Sequence, residues 1–176
     1  MENKKEKVTL GRIASYLLTK NPYLSRSELS KLVFLLDYNY CKRNNETFTG
    51  INWEFNQFGP FTHDTEKAFL KENYGESLQS VTAFGAPVTR YKVNVPVEEL
   101  PGEIQEILDH FLAIHKAMNY NEFIKFVYNT YPVKNSKKGQ YLNIPELVEK
   151  ELDEEVEEVW EDIIENFDDV MVELAK

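Results

Sequence analysis

Three histidines, one cysteine and a run of carboxylates are the side chains in this 176-residue sequence best suited to chemistry. His63 stands beside Asp64, just after Gly59-Pro60, in a loop-edge position where an imidazole could exchange protons. His110 follows Glu106 by four residues, the spacing of a surface ion pair on one helix face. His115 lies four after Phe111, at the edge of an apolar stripe, as a boundary histidine would. His110 and His115 are five apart, which places them poorly to share a metal from one helix. Cys41 has no second cysteine, so it forms no internal disulfide and reads as an inert structural thiol. Seven glycines leave no room for a phosphate-cradling loop, and neither a GxSxG elbow nor an HExxH pair is present. The carboxylates of the last thirty residues are spaced as a solvated face rather than a converging acid/base pair. The expectation is therefore recognition rather than catalysis: no enzyme, no catalytic residue, no cofactor and no metal.

The elements that would position a recognition surface are legible from periodicity and punctuation. Thr9 to Lys20 places Leu10, Ile13, Ala14, Leu17 and Leu18 on one helical face, and Asn21-Pro22 ends it. Ser25-Arg-Ser-Glu28 is a capping-box pattern opening a helix to about Lys42. Leu29, Leu32, Val33, Leu36 and Tyr40 line that helix, while Phe34, Leu35 and Tyr38 widen the stripe enough for a central buried helix. Arg43 to Glu46 reads as a loop.

From Thr47 the period becomes two, with Ile51, Trp53 and Phe55 alternating with polar residues as in a strand. The phase breaks at Gln57-Phe58, and Gly59-Pro60 predicts an extended-then-turn corner before a helix over about His63 to Asn73, capped by Thr62. Ser80 to Phe84 and Val88 to Val95, around Gly85-Ala-Pro87, predict a hairpin that could join the Trp53 strand in one sheet. Pro101 opens a further helix, and a short one carrying Phe123, Ile124, Val127 and Tyr128 closes at Thr130-Tyr-Pro132. Lys134 to Gln140 is a basic loop. Pro145 begins a long helix to about Leu174, whose Leu152, Val156, Trp160, Ile163, Phe167, Val170 and Leu174 form a narrow heptad-like seam. The fold class expected is α+β, mainly α: a compact helical domain with a small β-hairpin or sheet and a long acidic C-terminal helix.

At 42% hydrophobic, 28% charged and 13% aromatic, the composition is that of a globular chain rather than a disordered one. Neither a signal peptide nor a membrane span is readable, and a lone cysteine fits a reducing compartment, so a cytoplasmic location is expected. Charge is unevenly spread. Residues 146–176 hold 14 Asp/Glu against Lys150 and Lys176, whereas the rest is near neutral. Such a tail repels phosphates and accepts a basic partner or its own body.

Ser30-Lys-Leu-Val-Phe-Leu-Leu-Asp37 resembles the "KLLYLAD"-type helix of the Panacea domain, the SocA-like, phage-associated antitoxin family. Thr49-Gly50, Trp53-Glu54-Phe55 and Phe58-Gly59-Pro60 are similar to that family's aromatic segment ending in a "yGP" corner. Phe126 to Pro132 is similar to its "L…th…PW" segment, with Val133 where the family often has Trp. Tyr141 to Pro145 resembles the entry to its last helix. The resemblance spans about Val8 to Lys150, which suggests a Panacea domain over 1–150 and an acidic amphipathic helical extension of it over 151–176. It implies an antitoxin without enzymatic activity that neutralises a toxin encoded by a neighbouring gene through direct protein contact. It also implies travel on prophages and, in one family member, a role as adaptor to a protease.

Two surfaces are candidates for that contact. One is the rim of Phe58, Gly59, Pro60 and Phe61, where rigid aromatics stand beside a fixed turn. The other is the seam of Val156, Trp160, Ile163, Phe167 and Val170. Packing within the fold is the competing reading for both. A winged-helix DNA-binding regulator is an alternative, suggested by a helix, the short turn Asn21 to Ser25, a second helix and a later hairpin, with Lys134, Lys137 and Lys138 as a small basic loop. The second helix, too apolar for a DNA groove, counts against it. A phage-borne inhibitor whose acidic helix imitates nucleic acid is another.

Overall fold

The computed structural model describes residues 7–174, with side chains described as far as Glu161. Its centre is helix α2, which spans Arg26–Asn44 after α1, Leu10–Lys20. The start of α2 is fixed by the capping box. The Ser25 amide donates to Glu28 Oε2 at 2.8 Å, and the Glu28 amide donates to Ser25 Oγ at 3.3 Å. Leu29, Leu32, Val33, Phe34, Leu35, Leu36 and Cys41 are buried on every side of α2, because helices, strands and the long final helix all pack on it. The expected loop from Arg43 begins later. Arg43 and Asn44 stay helical, held by Glu106 and Glu103, and Asn45 turns the chain at φ 60°.

Two polar residues, Asp37 and Lys31, lie inside this apolar helix. Asp37, fully buried, accepts the Thr49 amide and the Trp53 indole N–H, each at 2.8 Å. It thereby pins the segment leading into β1, Trp53–Asn56, onto α2. Trp53 sits edge-on to Phe34 with ring centroids 5.6 Å apart. Lys31 lies two turns earlier on α2, beneath the end of the sheet that β1 begins.

The sheet differs from the sequence-based expectation. Gln57-Phe58 is itself the turn, and Gly59-Pro60 begin the return strand β2, Gly59–Phe61, with Asn56 opposite Gly59 and Glu54 opposite Phe61. Pro60 is tolerated there because β2 is an edge strand. The other side of β1 is taken by β5, Tyr141–Leu142, giving the order β2-β1-β5. The later hairpin, β3 (Gly75–Val81) and β4 (Pro87–Val93), therefore stands as a separate two-stranded sheet and does not join the Trp53 strand. Its first strand starts at Gly75 rather than Ser80. Gly75 is required because a Cβ there would lie 2.1 Å from the Lys92 carbonyl. Between the sheets, α3 spans Asp64–Lys71 and packs on α1. The N-cap of α3 is His63, which makes no side-chain capping bond, rather than the expected Thr62; Thr62 Oγ1 instead accepts the Asp64 amide at 3.1 Å from just outside the helix.

Helix α4, Gly102–Lys116, buries Ile104, Ile107, Leu108 and Phe111. Helix α5, Tyr120–Tyr128, opens on a second capping box, Asn119 with Glu122. Helix α5 ends just ahead of Thr130-Tyr-Pro132, as expected. The chain restarts as the one-turn α6, Tyr131–Lys134, with Pro132 in its first turn, where a missing amide donor costs little. The final helix, α7, runs from Ile144 to Leu174 and is continuous through Lys150.

Candidate partner-binding groove

The β1–β2 turn is braced from below and bare above. Tyr128 Oη donates to the Gln57 carbonyl at 3.1 Å, and the Tyr128 ring lies edge-on to Phe55. The Thr62 amide donates to Ser30 Oγ at 2.9 Å, tying the far end of β2 to α2. Gly59 adopts φ +97°, and a Cβ on it would touch the Tyr128 ring at 3.4 Å and Lys31 Cε at 3.5 Å. Gly59 and Pro60 are buried; Phe61 is half-buried; Phe58 is 61% exposed. Of the four residues named at this corner, two are scaffold by position and the aromatic pair faces outward.

Phe58 and Phe61 form one wall of a groove of about 620 Å³. The N-terminal turn of α2, the outer end of β4 and Tyr120 supply the rest. Tyr23 and Tyr120, both substantially exposed, put two further rings at its edges. Arg90 donates to the Tyr23 carbonyl and so holds β4 against the chain entering α2. Arg26 pairs with Glu66 at 2.6 Å. Four aromatic rings around one recess, on a frame held by hydrogen bonds and a salt bridge, is the composition of an interface hot spot.

The seam on α7 divides at Leu152. Before it, Val148 is buried and Glu151 accepts from Tyr38 Oη at 2.6 and 2.7 Å and from Lys42 Nζ at 3.1 Å. After it, Val156 and Trp160 are more than half exposed, as is Val159. The side chains of Ile163, Phe167 and Val170 lie outside the described residues.

The histidines take up structural positions. His115 Nε2 meets Glu28 Oε1 at 2.9 Å and its ring stands on Phe123. Burial pushes the Glu28 carboxyl up, but the bonds from His115 and Ser25 outweigh it and hold the group below its ordinary value. Glu106 pairs with Arg43 at 3.3 Å, so the ion pair expected with His110 does not form among the described residues. His63 is exposed and packs edge-on against Phe61. Cys41 is buried, and burial pushes its thiol up. The residues that sequence reasoning did not single out are Tyr23 and Tyr120 at the edges of the groove and Lys31, which lies beneath the corner.

Residues 29–132 match the family model described as antitoxin SocA-like, Panacea domain. The chain belongs to that family. The matched segment holds α2 from Leu29 on, the sheet corner, both hairpins and α3–α5, and leaves α1, the first turn of α2, β5 and α7 outside it. No curated protein matches the chain, and no solved structure does. Within this Panacea domain the motif residues have physical roles: Asp37 clamps the strand, and Gly59 closes over Lys31. No helix among the described residues is long and apolar enough to cross a membrane.

Proposed function

We propose that this protein is a cytoplasmic antitoxin that neutralises a toxin encoded by a neighbouring gene, acting by direct contact and without catalysis of its own. Membership of residues 29–132 in the SocA-like antitoxin family carries the reading. The groove beneath Phe58 supports it as the contact face, since its exposed rings lie on braced backbone and lose little conformational freedom on binding. The exposed Val156 and Trp160 on α7 are a second contact, outside the segment the family shares. The winged-helix alternative is disfavoured because α2 is buried through its middle and offers no polar face to a DNA groove.

Co-expression of a tagged copy with the neighbouring open reading frame tests the proposal. The expected result is recovery of both chains as one complex of fixed stoichiometry that withstands high salt. Recovery of the tagged chain alone contradicts it.

A further inference from the structure

Lys31 is fully buried, yet no carboxylate among the described residues lies within 4.0 Å of its ammonium. Its Nζ donates to Ser27 Oγ at 2.9 Å, one turn earlier on α2. Glu28 is the nearby anion, but it is engaged by His115 Nε2 at 2.9 Å, by the Ser25 amide at 2.8 Å and by Ser25 Oγ at 2.6 Å. Burial pushes the Lys31 ammonium down to about 8, with Glu28 only partly opposing. A buried ammonium without a paired anion is costly, and a fold core gains nothing from it that methionine would not supply.

The place where Lys31 lies gives it a use. Together with Ser27, Asn56, Gln57, Phe58 and Gly59 it lines a pocket of about 300 Å³. Ser27, Phe58 and Phe61 are shared between this pocket and the larger groove, so the two are continuous. Gly59, which closes over the lysine stem, puts no side chain against it. The neighbouring walls carry a serine hydroxyl and two side-chain amides, all able to donate, and Phe58 is exposed enough to give way.

We propose that Lys31 and Ser27 form a carboxylate subsite at the base of the aromatic groove, which takes an Asp or Glu side chain of the partner protein while Phe58 and Phe61 pack on that residue's apolar neighbours. The missing counter-charge is the argument for an acidic occupant, and the rings beside it are the argument for a polypeptide rather than a free anion. The assignment rests on the groove being the partner-binding face.

The test uses the full chain and two probes, the peptides acetyl-Gly-Phe-Glu-Phe-Gly-amide and acetyl-Gly-Phe-Gln-Phe-Gly-amide, titrated while the lysine Cε signals are followed by NMR. The glutamate peptide is expected to shift the Lys31 signal saturably and to bind about tenfold more tightly than the glutamine peptide, the worth of one charge-assisted bond. Lys31→Met should erase that preference and keep the weak binding due to the rings, and Ser27→Ala should reduce it. Equal binding of the two peptides, no response at Lys31, or a preference that survives Lys31→Met would each overturn the assignment. Because no toxin enters this titration, its failure is separate from failure of the antitoxin reading, which co-expression decides.

Discussion

Lys31 and Asp37 are the two residues whose burial costs most and whose removal should have opposite effects. The ordinary value for the Lys31 ammonium is 10.5, and its folded value is about 8. Between those pH values the unfolded chain keeps the proton that the folded chain has lost, so stability rises with pH across that window. Below pH 8 the penalty is present in full, and it amounts to at most about 3 kcal/mol. Lys31→Met should therefore raise stability at pH 7 by about 1–2 kcal/mol in urea denaturation, and the gap to the wild type should close by pH 10. A loss of stability at pH 7 would mean that the ammonium has a paired anion. Asp37→Ala should do the reverse and cost about 2–4 kcal/mol, because it strands the Thr49 amide and the Trp53 indole N–H in the interior. An unchanged urea midpoint would refute the clamp. In the sequence both residues pass for surface positions of an apolar helix, since a lysine or aspartate is rarely buried. The signal that could have singled them out is their place in a helix whose apolar residues go all the way round.

At the scale of elements, α2 was legible to within a few residues, because its capping box of Ser25 and Glu28 acts through neighbours in sequence. The strands were less so. The turn at Gln57-Phe58 lacks the Asn or Gly that announces a tight hairpin, and β5 is two residues held by a partner far away in the chain. Strand β3 is nearly all exposed, so no apolar alternation marks its start at Gly75. Gly75 itself gives a test of that start. Gly75→Ala would drive a methyl into the Lys92 carbonyl and the Phe69 ring, and should lower stability by about 2 kcal/mol or more by thermal unfolding. A neutral substitution would mean that β3 and β4 diverge before residue 75. The rim of the groove followed the same division. Phe58 and Phe61 stand out beside Gly59-Pro60, but Tyr23 and Tyr120, the brace from Tyr128 and the lysine beneath the corner come together through contacts far apart in sequence.

For the whole molecule, the division lies within α7. The clasp of Glu151 with Tyr38 and Lys42 and the burial of Val148 fasten its first turns to α2, whereas Val156 and Trp160 are left outside. A chain ending at Leu152 should keep its cooperative unfolding transition and lie within about 1 kcal/mol of the full length, since the residues lost to Glu161 are exposed. A chain ending at Gln140 should lose that transition with β5, Ile144 and Val148 gone. Retention of the transition in the shorter chain would show that α7 is not part of the core. The near-neutral body then carries the groove, and the acidic helix, with 14 Asp/Glu against two Lys over residues 146–176, carries more than the whole net charge of −10. On the proposed reading, the body blocks a toxin through the groove at Phe58. The most direct measurement is colony growth of cells in which the neighbouring open reading frame is induced alone, with the wild-type chain, and with Phe58→Glu. Arrest is predicted in the first case, growth in the second, and about tenfold fewer colonies or a greater loss in the third than in the second, at equal levels of folded protein. Growth in the first case, arrest in the second, or full rescue by Phe58→Glu would contradict the claim.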